Sequence, residues 1–338
     1  MTVNALAVTH PGAPFSTYRY EAGDLGADEV DVRVTHAGVC HTDVGMIDDE
    51  YGISRFPVVA GHESVGIVEA LGSDVDPAHL RVGDRVGVGP IAGSCMRCEL
   101  CRTGRMQVCP NRDDTVMRGD RGGFASHVRA SHWQHVYKIP DALSSAEAAP
   151  LLCAGSTVFA PLLRHRVSPT DRVAVVGIGG LGHLAVQFLA SWGCEVTAIS
   201  RTREKEADAR RLGAAHFVAS GEAGAMESVQ NSFDVVLSTV SASLPWDDYL
   251  NALRPMGILS IVGVPPEDLR FSPVSLLMQA KTVAGGVPCS IEDTRAMLDY
   301  AARHGVRPVV QEFPAEQADA AVDLVRTGQA HYRAVIAL

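Results

Sequence analysis

Eight cysteines are spread over 338 residues, yet four of them fall in one short run, Cys95-x2-Cys98-x2-Cys101-x7-Cys109. Four thiols at ligand spacing in a chain otherwise poor in cysteine predict a tetrahedral zinc site. With every position filled by thiolate, such a site does no chemistry; it pins a long loop that has little core of its own. A four-thiolate iron–sulfur cluster is the other reading, since Pro110 follows Cys109, but its usual spacings differ. The other ligand types lie far apart: Cys40, the pair His62-Glu63, and Cys153. Two thiolates, one imidazole and an open fourth position would make a catalytic zinc site, although spacing alone does not prove the set.

A second motif binds phosphate. Gly177-Ile-Gly179-Gly180-Leu181-Gly182 contains Gly-x-Gly-x-x-Gly, follows an apolar run and opens a helical one, which is the context a dinucleotide fingerprint requires. Gly177 permits a tight turn, Gly179 lets the backbone approach a pyrophosphate at a helix N-terminus, and Gly182 lets helix and strand pack closely. The end of the next strand reports which dinucleotide. A carboxylate there would hydrogen-bond the ribose 2′-OH of NAD. The chain instead has Ser200, Arg201 and Arg203, with Lys205 beyond, and guanidiniums hold a 2′-phosphate. The expected cofactor is therefore NADP. NAD is the alternative, if the arginines are solvated and Glu204 or Glu206 serves.

These groups need elements to position them. Up to about Pro150 the chain has short β-like runs broken by Gly and Asp, among them Val30–Val34, Val65–Glu69 and Arg85–Val88. From Leu151, apolar strands alternate with helical stretches: strands at Arg172–Val176, Glu195–Ile199, Phe233–Leu237 and Ile258–Val262, helices at Gly180–Trp192, Arg203–Leu212 and Trp246–Leu253. That alternation predicts a parallel, doubly wound sheet. An amphipathic helix at Thr294–His304 and a last strand at Arg333–Leu338 close the chain, the strand being able to return to the first domain. The expected division is 1–150 with 291–338 as the zinc-binding domain and 151–290 as the dinucleotide-binding domain. Met46, Trp246 and Leu276–Met278 are guesses at pocket walls, the last also a core or subunit contact.

Composition narrows the function. The formal charge of −10 argues against nucleic acid or an anionic membrane as the main partner. No run of eighteen apolar residues is evident, and the first residues show no export signal, so a cytoplasmic, thiol-reducing location is expected.

The segments Gly38–Asp43, Gly61–Gly66, the four-cysteine loop, Leu152–Thr157 and Gly177–Gly182 resemble zinc-dependent medium-chain alcohol dehydrogenases over nearly the whole chain and in the family's order. Gly122–Ala125, Ser200 in place of an Asp, and Tyr332–Val335 are most similar to the cinnamyl-alcohol-dehydrogenase-like branch. The resemblance implies an α/β protein with an irregular, mostly-β GroES-like catalytic domain and a doubly wound Rossmann cofactor domain. It implies two zinc ions per chain and interconversion of primary alcohols and aldehydes with NADP(H). Cys40, His62 and Cys153 would hold the catalytic zinc. Glu63 would ligate it transiently or steer ligand exchange, and Asp43 would orient His62. Thr42 would accept the substrate hydroxyl proton. His41 would lie near the cofactor phosphates, Thr157 by the nicotinamide and Arg333 near the pyrophosphate. Relatives are commonly dimers and some are tetramers, so a homo-oligomer is expected.

One position departs from the pattern. The family often has a His three residues after the relay hydroxyl, where it passes the proton on; here that position is Gly45. This keeps open a second reading, NADPH-dependent reduction of activated C=C or C=N bonds, which needs less proton relay. A non-catalytic zinc- and cofactor-binding protein is a third, and the intact ligand triad with Thr42 argues against it.

Overall fold

The apolar runs after Leu151 build one six-stranded, all-parallel sheet. Its strands are β1 (Arg172–Val176), β2 (Glu195–Ser200), β3 (His216–Ala219), β4 (Phe233–Ser238), β5 (Leu253–Ile261) and β6 (Thr282–Gly285). They lie in the order 3-2-1-4-5-6. Strand order reverses beside β1, and ligands of open α/β sheets bind outside the C-terminal strand ends at such a reversal. Val173–Val176 are buried, as a strand covered on both faces must be. The helix after β1 spans Gly182–Trp192, two residues shorter than expected, because Gly179, Gly180 and Leu181 are spent on the turn. It stops at Gly193 in the left-handed conformation (φ 107°). The stretch expected as one helix from Arg203 is a 3-10 turn, Arg203–Lys205, followed by a helix over Glu206–Arg211.

The computed structural model describes residues 1–116 and 121–338. By contacts, the chain divides into Met1–Ser156 with Cys289–Arg303 and Pro308–Leu338, and Thr157–Pro288 with His304–Arg307. The first boundary thus falls six residues later than Pro150, which puts Cys153 in the first unit.

That first unit centres on the strand Val30–Val39. It pairs antiparallel with Ser64–Leu71, with His127–Ala130 and with the last strand, Arg333–Ala337. The returning C-terminal strand is thereby part of this sheet. Register then fixes what meets. Ala37 faces Ser64 and Val39 faces Ala334. Cys40, leaving the central strand, therefore lies at the same sheet end as His62-Glu63, just before one neighbour, and Arg333, at the start of the other.

A continuous helical run, Ser145–Arg164, supplies the fourth side of the site. It is long and apolar enough by composition to cross a membrane, but 83% of its most apolar window is buried within the fold, as in a core helix. Its start is locked by a capping box: Ser144 Oγ accepts from the Glu147 amide, and the Glu147 carboxylate accepts from the Ser144 amide at 2.9 Å. Pro150 then denies the run a backbone donor, and Leu151–Gly155 widens into a π-helical turn. Such turns are rare and recur at functional sites. Here the turn carries Cys153.

Candidate active site and zinc centres

The strand register and the π turn bring four ligand atoms together. One each from Cys40, His62, Glu63 and Cys153 lie within 4.8 Å of one another. His62 Nε2 is 3.3 Å from Cys153 Sγ. His62, Glu63 and Cys40 are buried.

Asp43 organises this group from behind. Its Oδ1 accepts from His62 Nδ1 at 2.8 Å and from the Gly61 amide at 2.7 Å, while Oδ2 accepts from the Cys40 amide at 3.0 Å. With Nδ1 donating to a carboxylate, the Nε2 lone pair faces the thiols. Asp43 sits on the short helix His41–Ile47, opened by Cys40, which turns it under the sheet end.

The crowding of these four ligand groups shifts each of their pKa values. The neighbouring Cys153 thiol, as hydrogen-bond partner, holds the Cys40 thiol well below its usual range, with His62 adding to the effect. Cys153 is driven well up, first by Cys40 and then by burial. For His62, burial alone would lower the pKa, but the Asp43 charge and hydrogen bond outweigh it and raise it. Burial pushes Glu63 up to about 7 against the pull of Arg333. Two sulfurs and a carboxylate-backed imidazole converging in burial fit a thiophilic dication, which binds as the protons leave.

Glu63 is committed elsewhere. Arg333, 270 positions away, donates from Nη2 to both its carboxylate oxygens, at 2.5 and 2.6 Å, in full burial. Gly38 makes room for it: a Cβ there would stand 2.0 Å from Glu63 Oε2. Arg333, expected beside a pyrophosphate, is thus seen holding Glu63, and its Nε has no hydrogen-bond partner among the described residues. Sequence spacing signals neither this pair nor the role of Gly38; the one local sign is the glycine that opens Gly38–Asp43. Thr42 is half-buried. His41 is half-exposed, with Nε2 3.5 Å from Glu50. Met46 and Trp246, guessed as pocket walls, are core residues of their own units, whereas Leu277 and Met278 are exposed.

The four-cysteine loop meets the same test. The ligand atoms of Cys95, Cys98, Cys101 and Cys109 also lie within 4.8 Å. Individual Sγ–Sγ distances are 3.5, 3.8 and 3.9 Å. Four sulfurs about 2.3 Å from a tetrahedral zinc are about 3.8 Å apart. Backbone amides of Arg97 and Cys98 aim at the Cys95 sulfur and lower its pKa to about 6, while burial pushes Cys101 up to about 12. Ile91–Gly93 pairs with Asp113–Asp114 and clamps the two ends of the loop.

In the second unit the fingerprint turn leaves β1 through Gly177, whose positive φ of 86° a side chain would resist. A Cβ on Gly182 would lie 1.8 Å from the Gly177 carbonyl, so helix and turn touch backbone to backbone. A Cβ on Gly179 would meet nothing within 4 Å, which leaves open space over the turn for a pyrophosphate. Gly180 and Leu181 complete the turn. His183, read from sequence as a packing residue, is buried and its Nδ1 donates to the Gly179 carbonyl at 3.0 Å. At the end of β2, Arg201 is exposed, but Arg203 is held by Glu222 at 2.7 and 2.9 Å and by Glu206 at 3.0 Å. Thr157 is buried at the start of this unit.

A GroES-like unit with a two-thiol, one-imidazole centre and a four-thiol loop, together with a 3-2-1-4-5-6 nucleotide-binding sheet, defines a two-zinc medium-chain dehydrogenase. Residues 26–141 match the alcohol dehydrogenase GroES-like domain and residues 180–303 the zinc-binding dehydrogenase domain. The chain is 42% identical to aldehyde reductase AdhA of Synechocystis sp. over 99% of this chain and 98% of that one. It superposes on a cinnamyl alcohol dehydrogenase from Sorghum bicolor with a TM-score of 0.95 at 34% identity, covering 100% and 98% of the two chains. A Helicobacter pylori enzyme of that type, complexed with NADP(H), superposes at 0.89 with 27% identity, covering 100% and 98%. The chain belongs to the zinc-dependent medium-chain alcohol dehydrogenase family, in its cinnamyl-alcohol-dehydrogenase-like branch.

Proposed function

We propose that this protein interconverts primary alcohols and aldehydes by hydride transfer with NADP(H). The observation that carries the reading is the convergence of Cys40, His62 and Cys153 in front of Asp43. With Glu63 engaged by Arg333, three donors remain and one coordination position stays available to substrate oxygen. Zinc there supplies Lewis acidity toward that oxygen, and the nicotinamide carries the hydride. Asp43 fixes the imidazole tautomer and the Cys40 backbone. Thr42 takes the hydroxyl proton of the alcohol or returns it to the alkoxide in reduction. Cys95, Cys98, Cys101 and Cys109 hold the second zinc. In the second unit the Gly177–Gly182 turn receives the pyrophosphate, with Thr157 beside the nicotinamide. Ser200, Arg201, Arg203 and Lys205 select the 2′-phosphate, Arg203 only after exchanging Glu222 for it.

A homo-oligomer fits the exposed Met256, Val274, Leu277 and Met278, and a cytoplasmic, reducing location fits eight cysteines held as thiols rather than disulfides. Turnover of an aldehyde panel with NADPH, with products identified, tests the activity. Aldehydes reduced to alcohols support it, and conversion of only C=C or C=N bonds would replace it with the reductase reading that Gly45 suggests. Cys40→Ser is expected to abolish turnover, reduce zinc from two to one per chain and leave NADP binding intact.

A further inference from the structure

Gly45 leaves the expected relay position without a side chain, yet the space there is filled. A Cβ on Gly45 would lie 2.5, 2.7 and 2.8 Å from Cε2, Cζ and Oη of Tyr51. The phenol has been laid across the helix where a residue at 45 would project. Its loop is tied to that helix at several points. The Glu50 amide donates to the Gly45 carbonyl (2.8 Å), Ser54 Oγ donates to the Met46 carbonyl (2.6 Å), and the Ser54 amide donates to Asp49 Oδ1 (2.9 Å). Asp49 and Gly52, both at positive φ, turn the chain on either side of Tyr51. A hydrogen bond with the Thr42 side chain works to lower the pKa of the phenol. Tyr51 is 37% exposed, so the residue reaches solvent.

We propose that Tyr51 is the proton outlet of this active site, its hydroxyl standing in for the missing side chain at position 45. This rests on the alcohol–aldehyde reading above. In the oxidative direction the alcohol O–H bond breaks and Thr42 Oγ takes that proton while passing its own to Tyr51 Oη. Tyr51 releases its own proton to water, and the electron pair leaves carbon as the hydride delivered to NADP⁺. The net products are aldehyde, NADPH and one proton, and the reverse reaction runs the same path inward. The groups facing the phenol favour a relay over a base: burial, with the charges of Cys40, Glu50 and Asp43, raises its pKa against the opposing pull of Thr42. Tyr51 therefore stays protonated, and a hydroxyl both accepts and donates.

The test compares wild type with Tyr51→Phe, Tyr51→Ala and the double variant Tyr51→Ala/Gly45→His. General acid–base groups contribute roughly 10²–10⁴-fold, and with water as a partial substitute the single-turnover rate is expected to fall about 10–100-fold in both single variants. KM, the NADP⁺ dissociation constant and two zinc per chain should hold. The double variant, with an imidazole at 45 and room for it, should recover most of the loss, as should free imidazole added to Tyr51→Ala. A reading independent of turnover is nitration of Tyr51 mapped by mass spectrometry. Gly45→Ala pushes its Cβ into the ring and should change the nitration rate several-fold. A wild type inactive on every alcohol and aldehyde would refute the function itself. An active wild type with Tyr51→Phe within twofold of it, or Tyr51 nitration unmoved by Gly45→Ala, would overturn the outlet alone.

Discussion

Asp43 holds more of this site than its position in sequence advertises. One carboxylate accepts from His62, from the Gly61 amide and from the Cys40 amide. Asp43→Asn keeps the shape but makes one side of the group a donor facing N–H groups, so His62 loses its fixed tautomer and the Cys40 loop loses a tie. Partners that orient a metal-bound imidazole are worth roughly 10–100-fold in metal affinity. Competition against a chelator should show that loss for one zinc of the two, with turnover following the zinc content; equal retention of both would remove Asp43 from this role. Motif residues such as Cys40, Asp43 and His62 were legible because each sits in a short segment of recognisable chemistry. Arg333 against Glu63 was not, because that pair depends on strand register across 270 positions. Tyr51 was missed for a related reason: nothing local says that a loop tyrosine folds back onto a glycine six residues earlier.

Helices and strands were readable wherever one period dominated, as in β1 and the helix that follows it. They were harder to read where tertiary demands override local pattern. The π turn at Leu151–Gly155 has no composition signal beyond Pro150, yet it aims Cys153 at the site. The end of β2 shows the same limit for charge: two arginines looked equivalent in sequence, but the structure gives Arg203 two carboxylate partners and leaves Arg201 exposed. Arg201→Ala should therefore raise KM for NADPH by about 10–100-fold, in line with the loss of a charged hydrogen bond of roughly 1.5–3 kcal/mol, and leave KM for NADH nearly unchanged. Arg203→Ala should do less. Equal effects of Arg201→Ala on both cofactors would show that the arginine does not read the 2′-phosphate. The four-cysteine loop makes a separate prediction. Besides the thiols, a two-stranded clamp, one short helix, a 3-10 turn and the Ser94–His135 contact hold it among the described residues, so its order depends largely on the metal. Cys98→Ser should lose one zinc and lower Tm by several degrees, with proteolysis appearing first between Ile91 and Asp114. An unchanged Tm would mean that the loop is held without zinc.

The two units place their apolar surface unequally. Both have buried cores, but the second also displays Met256, Val264, Val274, Leu277 and Met278 at 62–78% exposure. Several flank β6, the last strand of the sheet on that side. An edge strand beside exposed methionine and leucine invites either aggregation or a specific partner. The most economical partner is a second copy, since a twofold axis lets one patch cover itself and extends the sheet across the axis. The net charge of −10 opposes close approach of two copies, so the contact must gain its free energy from apolar burial and should tolerate salt. Light scattering is accordingly expected to report a homodimer at micromolar concentration that persists in 0.5 M salt. Leu277→Asp with Met278→Asp should shift it to monomer while zinc content stays at two per chain, because neither residue touches a zinc ligand's cluster. A monomer in the wild type, or a dimer indifferent to both charges, would assign that apolar face to something other than self-association.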